Sequence, residues 1–413
     1  MKKAKTSLLL FLVLFLLLLS GCTDDSGAPT TPNSILPDTQ SDITGAFRGK
    51  IFGMSNFAGA GDRTYEITDT KHIYVYTDSD TRPIQPKESI CKKPGCMHEG
   101  TSCNAYIGAS FLLATEHELY YFRADQEQSV SLYRCDLNGE NRQLVMQLWD
   151  GYTTDLYEAY LANGHIYYTK RVGLSTQIWD VDLSNLSQSV VANEMGEEGV
   201  FAHILDIADG ILYYQIDYGD PTLPDKSTTP PTLSFNNFGY DQWYKGYSTG
   251  SALYRVEPGK QPELLKEDIM ASSFSSGCNG CVYYVSKDKR SIYQYDLTTA
   301  TEYLVYTGEG PYSINEYTFD NRLIIHVKQE DEPARIFMLN LSTRELIPMS
   351  TFAYDSNRRF SVLYLHAASN KYYLAEYSLE GNDTVEFDHM LSLIPKQQFE
   401  DAYWYYYDWV PFS

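Results

Sequence analysis

The chain has no apolar run long enough to cross a bilayer as a helix. Its longest run, residues 8–19, is only twelve residues long, whereas a spanning helix needs about 20. The sequence also lacks an HExxH metalloprotease motif, a glycine-rich phosphate loop and an EF-hand loop. Basic residues are scarce, with 32 Lys and Arg against 54 Asp and Glu and a net charge of −22. This balance argues against binding to nucleic acid or directly to anionic lipid headgroups.

The N-terminus instead has the pattern of an export signal. Lysines precede the apolar run and small residues follow it, which is the order typical of a secretory leader. The run ends in Leu19-Ser20-Gly21-Cys22, which resembles the lipobox of bacterial lipoproteins. This resemblance implies that residues 1–21 are removed and that the sulfur of Cys22 carries a diacylglycerol. We therefore expect a lipid-anchored protein at the outer face of a membrane in the cell envelope.

Residues 22–45 predict a flexible tether that follows the anchor. They are mostly Asp, Ser, Thr, Pro and Gly, and such a segment cannot bury enough apolar surface to offset the entropy lost on ordering. Residues 46–413 then form the folded domain. The chain has 36 Tyr and 14% aromatic residues, a bias that favours β-strands.

A turn followed by an aromatic strand recurs along this domain. The copies begin at residues 73, 119, 166, 212, 282, 323 and 371, and the turns Asn163-Gly164, Asp209-Gly210 and Asn279-Gly280 precede three of them. Asn-Gly and Asp-Gly tolerate the positive φ angles of tight hairpin turns. Except for one long interval, the spacing suits four short antiparallel strands, which is one propeller blade. The sequence predicts an all-β fold, a β-propeller of four-stranded antiparallel blades, seven by this count, with six or eight as alternatives.

The repeated pattern also resembles a known group of proteins. A Tyr-Tyr strand such as Tyr120-Tyr121 is followed by a strand of the type Leu-Tyr-Arg-x-Asp-Leu, as at residues 132–137. This pattern is similar to the Tyr-rich propellers related to the YWTD-like and TolB-like families, and to a family of propeller lipoproteins from Gram-positive bacteria. The resemblance covers roughly residues 64–400. It implies the fold and no particular activity.

A cysteine-rich loop at residues 91–103 contains Cys91, Cys96, His98 and Cys103. Three thiolates and one imidazole complete a closed tetrahedral site of the kind that holds structural zinc. Disulfides would serve equally well outside the cytoplasm, with Cys135 supplying a fourth sulfur. A structural zinc, disulfides and free thiols are the alternatives for this loop, and no other cofactor is indicated.

A second cysteine pair, Cys278 and Cys281, flanks one of the predicted hairpin turns. Redox C-x-x-C motifs usually open a helix next to a strand. This pair lies in an all-β repeat, so we interpret it as a disulfide across the hairpin or as two free thiols.

The long interval contains an insertion, residues 218–250, that is rich in aromatic side chains. Long loops on rigid scaffolds tend to carry binding sites. Aromatic rings beside amides and carboxylates suit sugars or peptides, although the loop could equally bury its own rings on the domain. The candidate ligand-binding residues are Phe235, Phe238, Tyr240, Trp243 and Tyr244.

No catalytic residue is assigned from the sequence. Ser248 lies in a G-x-S-x-G string, but it leads into a predicted strand, whereas a nucleophile elbow leads into a helix. We expect a non-enzymatic protein that binds a glycan, a peptide or a protein. One alternative is a propeller glycoside hydrolase or lyase with convergent carboxylates. Another is a structural partner in an envelope protein complex.

Overall fold

The computed structural model describes part of the chain, and that part is nearly all β. Every described residue lies within one compact unit, Asp38–Ser413. No helix among these residues is long and apolar enough to cross a membrane. The described residues are 44–45, 57–60, 63–68, 70–77, 88–109, 111–124, 129–173, 175–193, 197, 199–208, 210–219, 248–267, 274–276, 280–319, 321–327, 335–348, 352–353, 358–368, 372–381, 389–397 and 410–412.

The described strands form six hydrogen-bonded sheets, one of which has eight strands. We divide the eight-stranded sheet at its one parallel pairing, which gives seven groups of antiparallel strands that we number sheets 1 to 7. The first three sheets are as follows. Sheet 1 comprises β2 (Phe57–Ala60), β3 (Arg63–Ile67), β4 (Ile73–Thr77) and β5 (Glu88–Ser89). Sheet 2 comprises β6 (Phe111–Ala114), β7 (Glu118–Ala124), β8 (Ser129–Asp136) and β9 (Gln143–Asp150). Sheet 3 comprises β10 (Leu156–Ala162), β11 (His165–Val172), β12 (Ser175–Asp182), β13 (Ser187–Ala192) and the added strand β1 (Thr44–Gly45).

The remaining four sheets continue the same order. Sheet 4 comprises β14 (Val200–Ala208), β15 (Ile211–Gly219), β16 (Ser248–Val256) and β17 (Glu263–Lys266). Sheet 5 comprises β18 (Phe274–Ser276), β19 (Cys281–Val285), β20 (Ser291–Asp296) and β21 (Thr301–Thr307). Sheet 6 comprises β22 (Tyr312–Phe319), β23 (Arg322–Val327), β24 (Arg335–Asn340) and β25 (Leu346–Pro348). Sheet 7 comprises β26 (Phe352–Ala353), β27 (Arg358–Ala368), β28 (Tyr372–Gly381), β29 (His389–Pro395) and β30 (Val410–Phe412).

The predicted aromatic strands are present at each of the seven positions, as β4, β7, β11, β15, β19, β23 and β28. The hairpin turn at Asn163-Gly164 has positive φ at both residues, 51° and 79°, as a type I′ turn requires. We call the end of the sheets that carries the turns before the aromatic strands the hairpin face. The opposite end is the insertion face, because residues 220–247 leave from it between β15 and β16.

Adjacent sheets have their hairpin faces at the same end of the domain. β18 and β22 pair in parallel at Ser276 and Tyr317, so sheets 5 and 6 run in one direction. At the hairpin face, the Arg322 guanidinium donates a hydrogen bond of 3.2 Å to the hydroxyl of Tyr373, joining the beginnings of β23 and β28. The two faces are therefore shared features of adjacent sheets.

Aromatic rings stack across the aromatic strand and the strand that follows it. In sheet 4, Tyr214 lies directly opposite Tyr254, and their ring centroids are 5.4 Å apart at 10°. Because directly opposed side chains are the closest neighbours on a sheet, each pair buries a large flat area and fixes the strand register. The same opposed pairs recur in three other sheets as Tyr121 with Tyr133, Tyr168 with Trp179, and Tyr284 with Tyr293.

The hydrophobic core is divided among the spaces between consecutive sheets. Leu132 and Phe122 of sheet 2 share a buried cluster with Leu156, Ile166 and Tyr168 of sheet 3. Comparable clusters join sheets 1 and 2, sheets 3 and 4, sheets 4 and 5, and sheets 5 and 6. Sheets 2 to 5 thus bury both faces against their neighbours in the chain.

A buried carboxylate, Glu158, links sheets 3 and 4 near the insertion face. It accepts hydrogen bonds of 2.7 Å from the Thr169 hydroxyl and 2.7 Å from the backbone N–H of Ile204. The bond to Ile204 gives β14 a polar contact with the preceding sheet. Removing the acceptor of a buried donor lowers the free energy of unfolding by more than the net contribution of the hydrogen bond.

We expect Glu158→Ala to lower the free energy of unfolding by about 2–3 kcal/mol, because it leaves two buried donors without this acceptor. Urea unfolding followed by intrinsic fluorescence measures the change. Glu309→Ala removes a carboxylate at an exposed position and is the control, with a change within about 0.5 kcal/mol. Equal losses in the two variants would show that Glu158 does not connect the sheets.

Candidate metal centre

The cysteine-rich loop follows β5 and is attached to the start of β4 at the hairpin face. The backbone N–H of Ile73 donates to the carbonyl of Ala105 at 2.8 Å, and the N–H of Ile107 donates to the carbonyl of Lys71 at 3.0 Å. Between these residues, Tyr106 forms a β-bridge with His72. The end of the loop therefore pairs with sheet 1 along the line that β5 begins.

The loop brings its four predicted ligand residues together. The ligand atoms of Cys91, Cys96, His98 and Cys103 all lie within 4.8 Å of one another. Cys91 and Cys103 are 3% and 1% exposed, and the other two are half-buried. Gly95, His98 and Gly100 have positive φ angles, which turn the backbone around the group. This arrangement could hold one metal ion.

Hydrogen bonds to sulfur favour the thiolate form that binds metals. Burial acts to raise the pKa of the Cys91 thiol, but N–H groups of Lys93 and Asn104 donate to its sulfur and act the other way. With further bonds from the neighbouring thiols, the pKa of Cys91 falls to about 6. Burial raises the pKa of Cys103, whose sulfur accepts a hydrogen bond of 3.3 Å from the N–H of Ala105.

The loop also contacts sheet 2, through residues that the sequence pattern did not indicate. Nη2 of Arg142 donates to the carbonyls of Cys103 at 3.2 Å and Asn104 at 2.5 Å. The Asn104 side-chain amide donates to a carboxylate oxygen of Glu140 at 3.0 Å. Gly139, in the same turn, packs against the Asn104 carbonyl. A positive charge after a turn is common in sequences, so no local signal marks these contacts.

Cys135 lies outside the ligand group, although the sequence allowed it as a disulfide partner. It is buried on β8, and burial raises the pKa of its thiol to about 12. Cys91, Cys96, Cys103 and Cys135 are all free thiols. The disulfide alternative with Cys135 stays a prediction.

The other predicted cysteine pair is described only in part. Cys281 begins β19 as a buried free thiol, and the side-chain amide of Gln294 donates to its sulfur at 3.0 Å. Burial raises the pKa of Cys281 to about 11. Cys278 lies outside the described residues, so the hairpin disulfide stays a prediction.

The candidate ligand-binding residues Phe235, Phe238, Tyr240, Trp243 and Tyr244 lie outside the described residues, as does Cys22. The structure does describe the hairpin that holds the insertion. β15 and β16 pair along their length, from Leu212 with Val256 to Gly219 with Ser248. Ser248 thus begins strand β16 and does not lead into a helix, as the sequence predicted.

A polar cluster lies at the base of this hairpin, and the sequence analysis did not single it out. Asp217 is 2% exposed and accepts hydrogen bonds from the hydroxyl of Ser251 at 2.5 Å and from the Gln215 side chain. Its second carboxylate oxygen lies 3.5 Å from Nε2 of His203. The only signal in the sequence is the polar pair Gln215 and Asp217 after the Tyr-Tyr pair of β15, and polar residues also follow the Tyr-Tyr pair of β11. The cluster ties β14, β15 and β16 together next to the insertion.

Three carboxyl groups at buried or half-buried positions contact hydroxyl, backbone or imidazole groups. Burial raises the pKa of Asp180, and its Oδ1 lies 2.9 Å from Nδ1 of His165. The hydroxyl of Tyr76 donates to Glu66 at 3.1 Å, and Glu158 is bound by a hydroxyl and a backbone N–H. These contacts hold strands together, and a pair of carboxyl groups facing each other is not among them.

The fold and the loop together define an all-β protein of consecutive antiparallel sheets, with a group of three cysteines and one histidine between the first two. No protein-family model matches the chain, and no curated protein matches it. The β-propeller domain of the Trilobed protease from Pyrococcus furiosus is similar at 10% identity and a TM-score of 0.43, covering 81% of this chain and 90% of that one.

Two further solved structures are similar at the same level. TolB from Acinetobacter baumannii has 10% identity and a TM-score of 0.33, covering 75% of this chain and 64% of its own. A prolyl endopeptidase structure has 13% identity and a TM-score of 0.43, covering 70% of this chain, which spans 41% of that protein. With such identities and with TM-scores below 0.5, these similarities assign neither an activity nor a ligand.

Two glycine substitutions test how the loop is held against sheet 2. Gly139 and Gly164 both have positive φ, 75° and 79°, so alanine costs about 1 kcal/mol at either position. A Cβ at Gly139 would overlap the Asn104 carbonyl, whereas nothing lies within 4 Å of a Cβ at Gly164. We expect Gly139→Ala to lower the free energy of unfolding by about 1–3 kcal/mol more than Gly164→Ala, measured by urea unfolding. Similar losses would mean that the loop does not rest on this turn.

Proposed function

We propose that this chain is a lipid-anchored, extracytoplasmic β-propeller that binds a glycan, a peptide or a protein through residues 220–247 and does not act as an enzyme. The observation that carries the proposal is the β15–β16 hairpin. Each strand has nine residues, and the polar cluster at its base ties it to β14. A rigid hairpin that presents a long insertion is the usual arrangement of a binding loop on a scaffold.

The packing of consecutive sheets supports the propeller part of the proposal. A single four-stranded sheet cannot bury both of its faces, and each of sheets 1 to 5 shares a core with the sheet that follows it. Packing sheet 7 between sheet 6 and sheet 1 would bury the remaining faces, as in propellers. We therefore take the ring to have seven blades.

The path of the chain supports a binding role for the insertion face. Thr44 pairs with Leu161 and Gly45 with Tyr160, and β10 runs toward the Asn163-Gly164 turn. The chain thus enters β1 from the hairpin face. Gly219 and Ser248, which flank residues 220–247 in the sequence, lie at the opposite face, away from the cysteine-rich loop.

The proposal includes a structural zinc ion in the cysteine-rich loop. Three thiolates and one imidazole match the tetrahedral preference of zinc, and they leave no position for a reactive water. N–H groups that donate to the sulfurs of Cys91 and Cys103 would lower the cost of the ligand charges. The ion would therefore serve structure rather than catalysis.

Replacing residues 220–247 with Asn-Gly tests the binding role. The flanking pair, Gly219 and Ser248, is already in hairpin register, and Asn-Gly suits a two-residue turn, so we expect the variant to fold. In a thermal-shift screen of glycans, cell-wall fragments and peptides, a ligand at 100 times its Kd stabilises the full chain by about 2.7 kcal/mol. The shift should vanish in the deletion variant and weaken in Trp243→Ala and Tyr240→Ala.

The outcomes of this screen separate the candidate functions. A shift that persists in the deletion variant would contradict the insertion as the binding site. Turnover of a polysaccharide by the purified chain would contradict the non-enzymatic assignment in favour of a hydrolase or lyase. No shift with any small ligand would favour a protein partner in the envelope, to be sought by pull-down from membranes.

Replacing Cys22 with Ser tests the anchor. We expect the variant to lose incorporation of a labelled fatty acid and to leave the membrane fraction, because the sulfur that carries the lipid is absent. Cys135→Ser alters a cysteine in the core and should keep both properties. Membrane retention of the Cys22→Ser variant with its leader removed would show that another feature holds the protein there.

A further inference from the structure

Sheet 1 is the least complete of the seven in the part of the chain that the structure describes. β5 has two residues and pairs with β4 only at Tyr74 and Val75. No strand pairs with the outer side of β5 among the described residues. The stretch Ala105–Ile107 instead continues the line of β5 along the start of β4. The cysteine-rich loop thus forms part of the outer edge of sheet 1. In the other sheets a strand forms this edge.

The loop has little apolar surface with which to hold this position. Its described residues between the first and last cysteine are mostly exposed, and Met97, the one large apolar side chain among them, is 79% exposed. The side chains that the loop directs inward are the three cysteines and His98. Because ordering a backbone costs entropy at every residue, the ligand group itself must supply much of what keeps the loop folded.

The ligand group lies where sheets 1 and 2 meet. Cys91 and Cys103 belong to one buried cluster with Ile67 and Ile73 of sheet 1 and Leu119 of sheet 2. The cluster also contains Ala105 and Ile107 from the end of the loop. Arg142 binds the backbone carbonyls next to Cys103, so any displacement of Cys103 breaks contacts with both sheets.

From these contacts we propose that a metal ion bound by Cys91, Cys96, His98 and Cys103 holds sheet 1 docked against sheet 2. We call this metal-dependent docking the latch. The inference rests on the structural zinc proposed above. It adds that the docking of sheet 1 depends on whether this ion is bound. Without the ion, residues 63–109 and the turn at Gly139 open together, while sheets 3 to 6 keep their cores. Metal availability therefore decides whether the first sheet is docked.

Hydrogen exchange measured by mass spectrometry tests the latch in the full chain purified from membranes in detergent. The reduced protein is compared with one equivalent of Zn²⁺ and with excess chelator. We expect chelation to accelerate exchange by about tenfold or more in peptides from residues 63–77, 88–109 and 137–142. Peptides from β10 to β24 should change little, because their hydrogen bonds and cores do not contact the loop.

Two substitutions separate the effect of the ion from the effect of changing a cysteine. Cys96→Ser removes a half-buried ligand with little change in packing, so we expect it to lose zinc and to exchange like the chelated wild type. Cys135→Ser replaces a buried thiol outside the ligand group and should retain one zinc per chain and the protected exchange pattern. If Cys96→Ser fails to fold, chelation of the wild type still tests the latch.

The metal content and the exchange pattern distinguish the failures. One zinc per chain with exchange unchanged by chelation would leave the structural zinc in place and overturn the latch. Zinc-dependent exchange in every strand would also overturn it, because the ion would then stabilise the whole domain. If the reduced wild type does not bind zinc, both the structural zinc and the latch are contradicted. The proposal that the insertion binds a ligand is not affected by that result.

Discussion

Stacking of aromatic rings across adjacent strands is the interaction on which the rest of the described structure depends. Tyr214 and Tyr254 in sheet 4 and Tyr121 and Tyr133 in sheet 2 lie directly opposite one another with nearly parallel rings. A one-residue slip would turn every side chain of a strand to the other face, so these pairs hold the register. The broad faces that they build then pack against the next sheet, which explains why the cores lie between consecutive sheets.

With the sheets held in this way, the two ends of the domain are free to carry different features. The hairpin face bears the cysteine-rich loop, attached to sheet 1 by Ile73 and to sheet 2 by Arg142. The insertion face bears the β15–β16 hairpin, with Asp217 at its base. The first feature lies at a junction between two sheets, and the second consists of the two strands that flank residues 220–247. The separation means that a change in one loop need not disturb the other.

Much of the fold could be predicted because its signals are local. A Tyr-Tyr pair after a turn marks a strand, and Asn163-Gly164 marks the hairpin before it, since both patterns act within a few residues. The four ligand residues of the cysteine-rich loop were also found, because three cysteines and a histidine lie within 13 positions of the chain. The role of Arg142 was missed, since its partners are 38 and 39 residues away. Cys135 was grouped with the loop on the sequence, but packing leaves its thiol in the core of sheet 2.

By itself the sequence determined the all-β class, the positions of the aromatic strands and the residues of the cysteine-rich loop. Each of these follows from backbone preference and side-chain alternation within a short segment. Only the tertiary structure decided that the four ligand atoms converge and that the loop lies between sheets 1 and 2. It also decided that the loop lies at the end of the sheets opposite to Gly219 and Ser248, the residues that flank the insertion in the sequence. Such facts depend on contacts between residues far apart in the chain, and short-range patterns carry no information about which distant surfaces will meet.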